Sequence, residues 1–100
     1  IVALEDVTEA SYRVDRMLSA LLASGAFDRI GGVVLGDFTD CPEGPHRVPL
    51  RSVLLERLGT LGVPVVAGLR FGHERWNDFV PLGVAAELDA SAGRLAVLLG

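Results

Sequence analysis

Lysine is absent from this 100-residue chain, and all nine basic residues are arginine. Exclusive use of arginine points to a GC-rich coding sequence rather than to a function. With 13 acidic residues the net charge is −4, and the isoelectric point is about 5.0. A nucleic-acid surface needs a basic face to neutralise phosphates, so that partner class is excluded by charge. Cysteine is nearly absent too. Cys41 alone cannot form an internal disulfide, so nothing marks an oxidising compartment. No apolar run reaches the roughly 18 residues that span a bilayer. No basic-then-apolar leader opens the chain. The chain has no initial Met and starts at Ile1, inside an apolar run, as if a segment upstream had been removed.

Two chemical signatures are missing as well. Gly31, Gly32 and Gly36 do not spell a dinucleotide fingerprint, and no Gly-rich turn leads into a helix as a phosphate site requires. No cofactor is expected. None of Ser11, Ser19, Ser24, Ser52 and Ser91 sits in a Gly-x-Ser-x-Gly elbow, so none has a nucleophile's setting.

Apolar residues are what the chain does have. They make up 50% of it, and the mean hydropathy is +0.43. Two readings are open: a well-filled core, or surface normally covered by another domain or subunit. One hundred residues make one domain, small for an enzyme that must also enclose a substrate.

Ile1 to Leu4 reads as a buried strand, followed by Thr8 as N-cap and a helix from about Ala10 to Ser24. Val14, Met17, Leu18, Leu21 and Leu22 form one helical stripe, and Gly25 suits the left-handed residue that ends such a helix. A strand from Gly32 to Leu35 leads into a turn-rich loop, Asp37 to His46. Pro49 opens a second helix bearing Leu50, Val53, Leu54, Leu58 and Leu61, closed by Gly62. Val63 to Ala67 makes a third strand. Phe79 to Leu88 and Arg94 to Leu99 read as a hairpin joined by Asp89 to Gly93. The fold class is therefore α/β: a small parallel sheet with two crossover helices plus a C-terminal antiparallel hairpin.

That topology places the C-terminal ends of the parallel strands on one edge, where sites in open α/β sheets form. Glu5, the Gly36 to Asp40 loop and the Arg70 to His73 loop all follow such ends. A carboxylate and an imidazole delivered there make two thirds of a Ser-His-acid triad, because the acid orients the ring and stabilises its protonated form. Plainer readings stand beside this one. Glu5 and Asp6 suit the N-terminal end of the following helix, and many loop histidines like His73 are merely exposed. His46 reads as solvated. Cys41 and His46 give at most two metal ligands, where zinc sites use three or four, so no metal is expected. Asp37 and Asp40 suit turn formation or the shaping of a pocket. The Arg75-Trp76 pair suits a substrate wall or an interface anchor, and Trp76 alternatively packs on Phe71 or Phe79.

Four short motifs in register carry a resemblance over essentially the whole chain. They are Leu4-Glu5-Asp6-Val7, then Tyr12-Arg13-x-Asp15-Arg16-Met17-Leu18, Gly36-x-Phe38-Thr39-Asp40-Cys41 and Gly68-Leu69-x-Phe71-Gly72-His73. Together they resemble the C-terminal domain of the LD-carboxypeptidase family of serine peptidases, which also contains the microcin C immunity peptidases. The resemblance implies a swivelling β/β/α domain, with Glu5 as the triad glutamate and His73 as the triad histidine. It implies that residues 1–100 are the C-terminal domain of a two-domain enzyme, whose N-terminal domain holds the serine and the oxyanion donors. Arg70 departs from the pattern, which usually has proline there. The implied substrate is a murein tetrapeptide, cut at its terminal D-alanine during cytoplasmic wall recycling. Implied partners are the nucleophile domain, the murein peptide and a second copy of the chain as a homo-oligomer. The isolated chain is expected to be inactive. Two other functions stay open: a peptidase of peptide-nucleotide antibiotics, and a non-catalytic binding or assembly module.

Overall fold

A computed structural model describes residues 1–98. In chain order the elements are β1 (Val2–Val7), α1 (Ser11–Ala23), β2 (Val33–Thr39), α2 (Leu50–Leu58) with a final 3₁₀ turn (Gly59–Leu61), β3 (Val65–Val66), β4 (Ala86–Asp89) and β5 (Arg94–Val97). Strands β1, β2 and β3 form a parallel sheet in that order, and β4 pairs with β5 in an antiparallel hairpin. The α/β architecture expected from the alternation of elements is the one observed.

Packing follows from which way the strand residues face. Val33 and Leu35 of β2 join Val14 and Leu18 of α1, Val53 and Leu58 of α2, and Phe27 in the main core. Both helices therefore cover one face of the sheet. Complete burial of a side chain such as Leu58 contributes about 1.5–3 kcal/mol. On the opposite face, Ala3 and Val34 share an apolar cavity with Val80, Ala86, Leu95 and Val97, so the hairpin forms a third layer. Gly32 allows that closeness: a Cβ there would lie 2.7 Å from a methyl carbon of Leu88.

Several local expectations need correction. Thr8 does not cap α1. It adopts φ 57°, and its hydroxyl donates to the Val7 carbonyl at 2.8 Å. The cap position is Ala10, two residues further on, and it has no capping side chain. The loop after β2 satisfies the helix start instead. The Ser11 N–H donates to the Pro42 carbonyl at 2.9 Å, and the buried Ser11 hydroxyl donates to the Glu43 carbonyl at 2.7 Å. Met17 and Leu21 lie at the border of the buried stripe and are exposed. Gly25 behaves as expected. With φ 81° it ends α1, its N–H reaching Leu22 and that of Ala26 reaching Leu21, which satisfies two orphan carbonyls.

Strand β2 runs four residues past the expected Leu35, whereas β3 is only two residues long. The stretch from Phe79 to Ala85 is not a strand, since Pro81 lacks an N–H and Gly83 turns at φ 73°. Leu99, the expected end of the last strand, lies outside the described residues.

Candidate active site

Glu5 sits where β1 and β2 fall out of step. Leu4 pairs with Leu35 and Asp6 with Phe38, so β2 carries one more residue than β1 between those pairs. Such a bulge breaks the ladder and re-aims the neighbouring side chains. On the other side of β2 the chain continues past β3 without forming a regular strand. Gly68 turns at φ 83°, the Leu69 N–H donates to the Leu35 carbonyl at 3.2 Å, and the Asp37 N–H donates to the Phe71 carbonyl at 2.7 Å. These two bonds lay residues 69–71 along β2.

Phe71 anchors that segment. It is 9% exposed and lies over Gly36, where a Cβ would overlap the Phe71 carbonyl oxygen and stand 2.7 Å from two ring carbons. Gly72 follows at φ 131°, a conformation L side chains rarely adopt. A Cβ at Gly72 would also crowd Glu5 Oε2 at 3.1 Å and Asp37 Cβ at 3.2 Å. Two glycines thus allow the loop to lie close enough to β1 and β2 for its next residue to reach Glu5.

That residue is His73, whose Nδ1 lies 2.7 Å from Glu5 Oε2. The two groups are 68 positions apart in sequence and meet at the edge where β1 and β3 end, as the parallel topology requires. An ionised carboxylate only accepts, so Nδ1 is the donor in this contact and Nε2 is the ring nitrogen left facing away from Glu5. The His73 side chain is 51% exposed and that of Glu5 33%. Even a fully charged pair that open would be worth only about 0–1 kcal/mol, so fold stability gives little reason for holding the two groups in place. Chemically, the arrangement is an oriented imidazole able to take and return a proton.

The other candidates lie around it. Asp37 is in β2 beneath Gly72, not in a turn, and its Oδ2 is buried without a hydrogen-bond partner in the protein, as is Thr39 Oγ1. Asp40 stands at the turn after β2 with φ 51°. Cys41 is half-buried and donates weakly to the Thr39 carbonyl at 3.5 Å. Burial pushes its thiol pKa up, a hydrogen bond from the Glu9 backbone offsets part of that, and the nearby Asp6, Glu9 and Asp40 carboxylates add to the rise. His46 is exposed. The hydroxyls of Ser11, Ser24 and Ser91 are engaged with Glu43, Leu21 and Asp89, and among the described residues no serine hydroxyl bonds to His73.

Four contacts near His73 were not anticipated. Asn77 Nδ2 donates to the Gly72 carbonyl at 3.1 Å, and the Asp78 N–H donates to the Arg70 carbonyl. Trp76 lies under the Arg70 guanidinium, 4.9 Å from ring centroid to Cζ, and its Nε1–H donates to Asp78 Oδ1 at 2.9 Å. Asn77 and Asp78 are turn-forming residue types just after the histidine, and that was the available signal.

Fold and site together define an α/β domain that presents a histidine–carboxylate pair at the C-terminal edge of its parallel sheet. Comparison with known proteins makes this specific: residues 1–88 match the family described as the LD-carboxypeptidase C-terminal domain, and the chain belongs to that family. A Synechocystis protein with carboxypeptidase in its name is 48% identical over 101 residues, covering 98% of this chain and 33% of that protein. The murein tetrapeptide carboxypeptidase of Pseudomonas aeruginosa is 36% identical over 91 residues, covering 91% of this chain and 30% of its own length. The microcin C7 self-immunity protein of Escherichia coli is 31% identical over 91 residues, covering 89% of this chain and 26% of its own. The chain therefore spans about a third of the length of the relatives it matches.

Proposed function

We propose that this chain is the acid–base part of a serine-type LD-carboxypeptidase, supplying Glu5 and His73 to a Ser-Glu-His triad completed by an N-terminal nucleophile domain in the full-length protein. The observation that carries the proposal is the 2.7 Å contact between His73 Nδ1 and Glu5 Oε2 at an open rim. In this reading Nε2 takes the proton of the serine hydroxyl as its oxygen attacks the amide carbon. The same proton then passes to the departing amine. Water repeats the sequence to release the acyl group. Glu5 keeps Nδ1 protonated throughout and stabilises the imidazolium.

The substrate proposed is a murein tetrapeptide losing its terminal D-alanine in the cytoplasm, supported by similarity to the Pseudomonas enzyme of that name. The described residues contain no helix long and apolar enough to cross a membrane. Similarity to the self-immunity protein supports a second reading, hydrolysis of a peptide-nucleotide antibiotic. Phe79 is 90% exposed and Leu82 83%, which supports cover by the nucleophile domain or by a second copy of the chain. Incubating the full-length protein with a murein tetrapeptide and measuring released D-alanine tests the reading. Release by the full-length protein and none by the 100-residue chain is expected. Hydrolysis of a peptidyl-nucleotide alone would transfer the assignment to the second reading. Hydrolysis of neither would reject both.

A further inference from the structure

We propose that Arg70, Trp76 and Asn77 are positioning residues, which clasp the loop over residues 70–78 so that His73 is held against Glu5. The inference rests on the peptidase reading for its kinetic test but not for its structural one. His73 is carried by a stretch with no helix or strand, in which Glu74, Arg75, Trp76, Asn77 and Asp78 are all exposed. Ordering such a stretch costs conformational entropy, and burial contributes little to offset it. Its own contacts must hold the imidazole.

Those contacts form one connected set. The Asp78 N–H closes the loop onto the Arg70 carbonyl. The Arg70 guanidinium stacks on Trp76 at 4.9 Å, and the indole N–H is taken by Asp78 Oδ1 at 2.9 Å, so three side chains lock the same junction. Inside the loop, Asn77 Nδ2 donates to the Gly72 carbonyl at 3.1 Å. That carbonyl belongs to the peptide leading into His73, so Asn77 fixes the orientation from which the imidazole projects. Phe71 anchors the start of the loop to β2 and the clasp anchors its return. His73 lies between the two anchors.

A reacting group displaced by about 1 Å can lose on the order of 100-fold in rate. An exposed cation–π contact biases the loop by a smaller factor. We expect Trp76→Ala, and separately Asn77→Ala, to lower kcat for murein tetrapeptide about fivefold in the full-length protein, with KM unchanged. Arg70→Gln combined with Trp76→Ala should lose no more than Trp76→Ala alone, because the two remove one contact. Trp76→Phe keeps an aromatic face for Arg70 and should restore most of the rate.

The structural readout is the Nδ1 proton resonance of His73, observed by NMR of the full-length protein, which reports on folded molecules. It should broaden or shift in Trp76→Ala and return in Trp76→Phe. A parental resonance with parental kcat in Trp76→Ala would overturn the proposal. So would a rise in KM alone, which would make Trp76 a substrate wall. If the parent protein hydrolyses no L,D-peptide, the peptidase reading fails and the resonance decides: its loss in Trp76→Ala supports the clasp, and its retention refutes it.

Discussion

Gly36→Ala puts the geometry of the site under direct strain. The new methyl would overlap the Phe71 carbonyl oxygen and stand 2.7 Å from two carbons of the Phe71 ring. Neither neighbour yields easily: the carbonyl is backbone, and it accepts the Asp37 N–H at 2.7 Å. The ring belongs to a side chain only 9% exposed. Forcing extra volume into a packed site costs about 1–3 kcal/mol. Losing the Asp37–Phe71 hydrogen bond adds about 0.5–1.5 kcal/mol. A destabilisation of about 1.5–4.5 kcal/mol follows, read as a lower urea midpoint with an unchanged slope. The functional loss should exceed the stability loss. Lifting Phe71 off β2 carries His73 with it, so folded Gly36→Ala protein should hydrolyse L,D-peptide at least about 100-fold more slowly. The comparison variant is Gly59→Ala. A Cβ at Gly59 meets nothing within 4 Å, so that protein should keep parental activity. Parental stability and turnover in Gly36→Ala would refute the claim that this contact places the histidine.

Two further predictions use the titration of single groups. Burial raises the Cys41 thiol pKa, a hydrogen bond from the Glu9 backbone offsets part of the rise, and the Asp6, Glu9 and Asp40 carboxylates add to it. Alkylation by iodoacetamide should therefore show a higher pH midpoint in the native protein than in urea, and Asp40→Asn should move the native midpoint down. Equal midpoints in the two states would contradict this. The Asp89 carboxyl is held below its usual range by the Ser91 hydroxyl at 2.7 Å, then by the Ala92 N–H at 3.1 Å. A carboxyl whose pKa is lower folded than unfolded stabilises above its unfolded pKa, and loses that effect as pH falls through the folded value. Ser91→Ala should thus be less stable than the parent at neutral pH, with the gap narrowing on acidification in urea titrations. A gap that stays constant with pH would remove Asp89 from the explanation.

The parts of this molecule legible in its sequence are those governed by local chemistry or by topology. Gly25 announces the end of α1 because only a residue tolerant of left-handed geometry fits that cap. Glu5 and His73 could be placed together without coordinates, since consecutive parallel strands deliver their C-terminal ends to one edge. What stayed hidden depends on distant partners. The bulge opposite Glu5 depends on the register between β1 and β2. Thr8 looks like a cap by residue type, yet the Pro42 and Glu43 carbonyls receive the Ser11 groups at the helix start. Phe79 to Ala85 has strand-like composition, but Pro81 and Gly83 interrupt it. Gly36 is unremarkable as a letter, and its importance appears only when Phe71 is laid against it. The Arg70–Trp76 stack likewise joins residues whose types permit many partners.

The account stands or falls on whether the carboxylate near the start of the chain serves the imidazole far downstream. Glu5→Gln keeps the side chain's shape but lets an amide face Nδ1, favouring the wrong tautomer. In a comparable triad, replacing the acid by its amide lowers kcat about 10⁴-fold. Steady-state turnover of a murein tetrapeptide by full-length Glu5→Gln protein, folded as shown by circular dichroism, should fall by a similar factor with KM little changed. Turnover within a few fold of the parent would contradict the account.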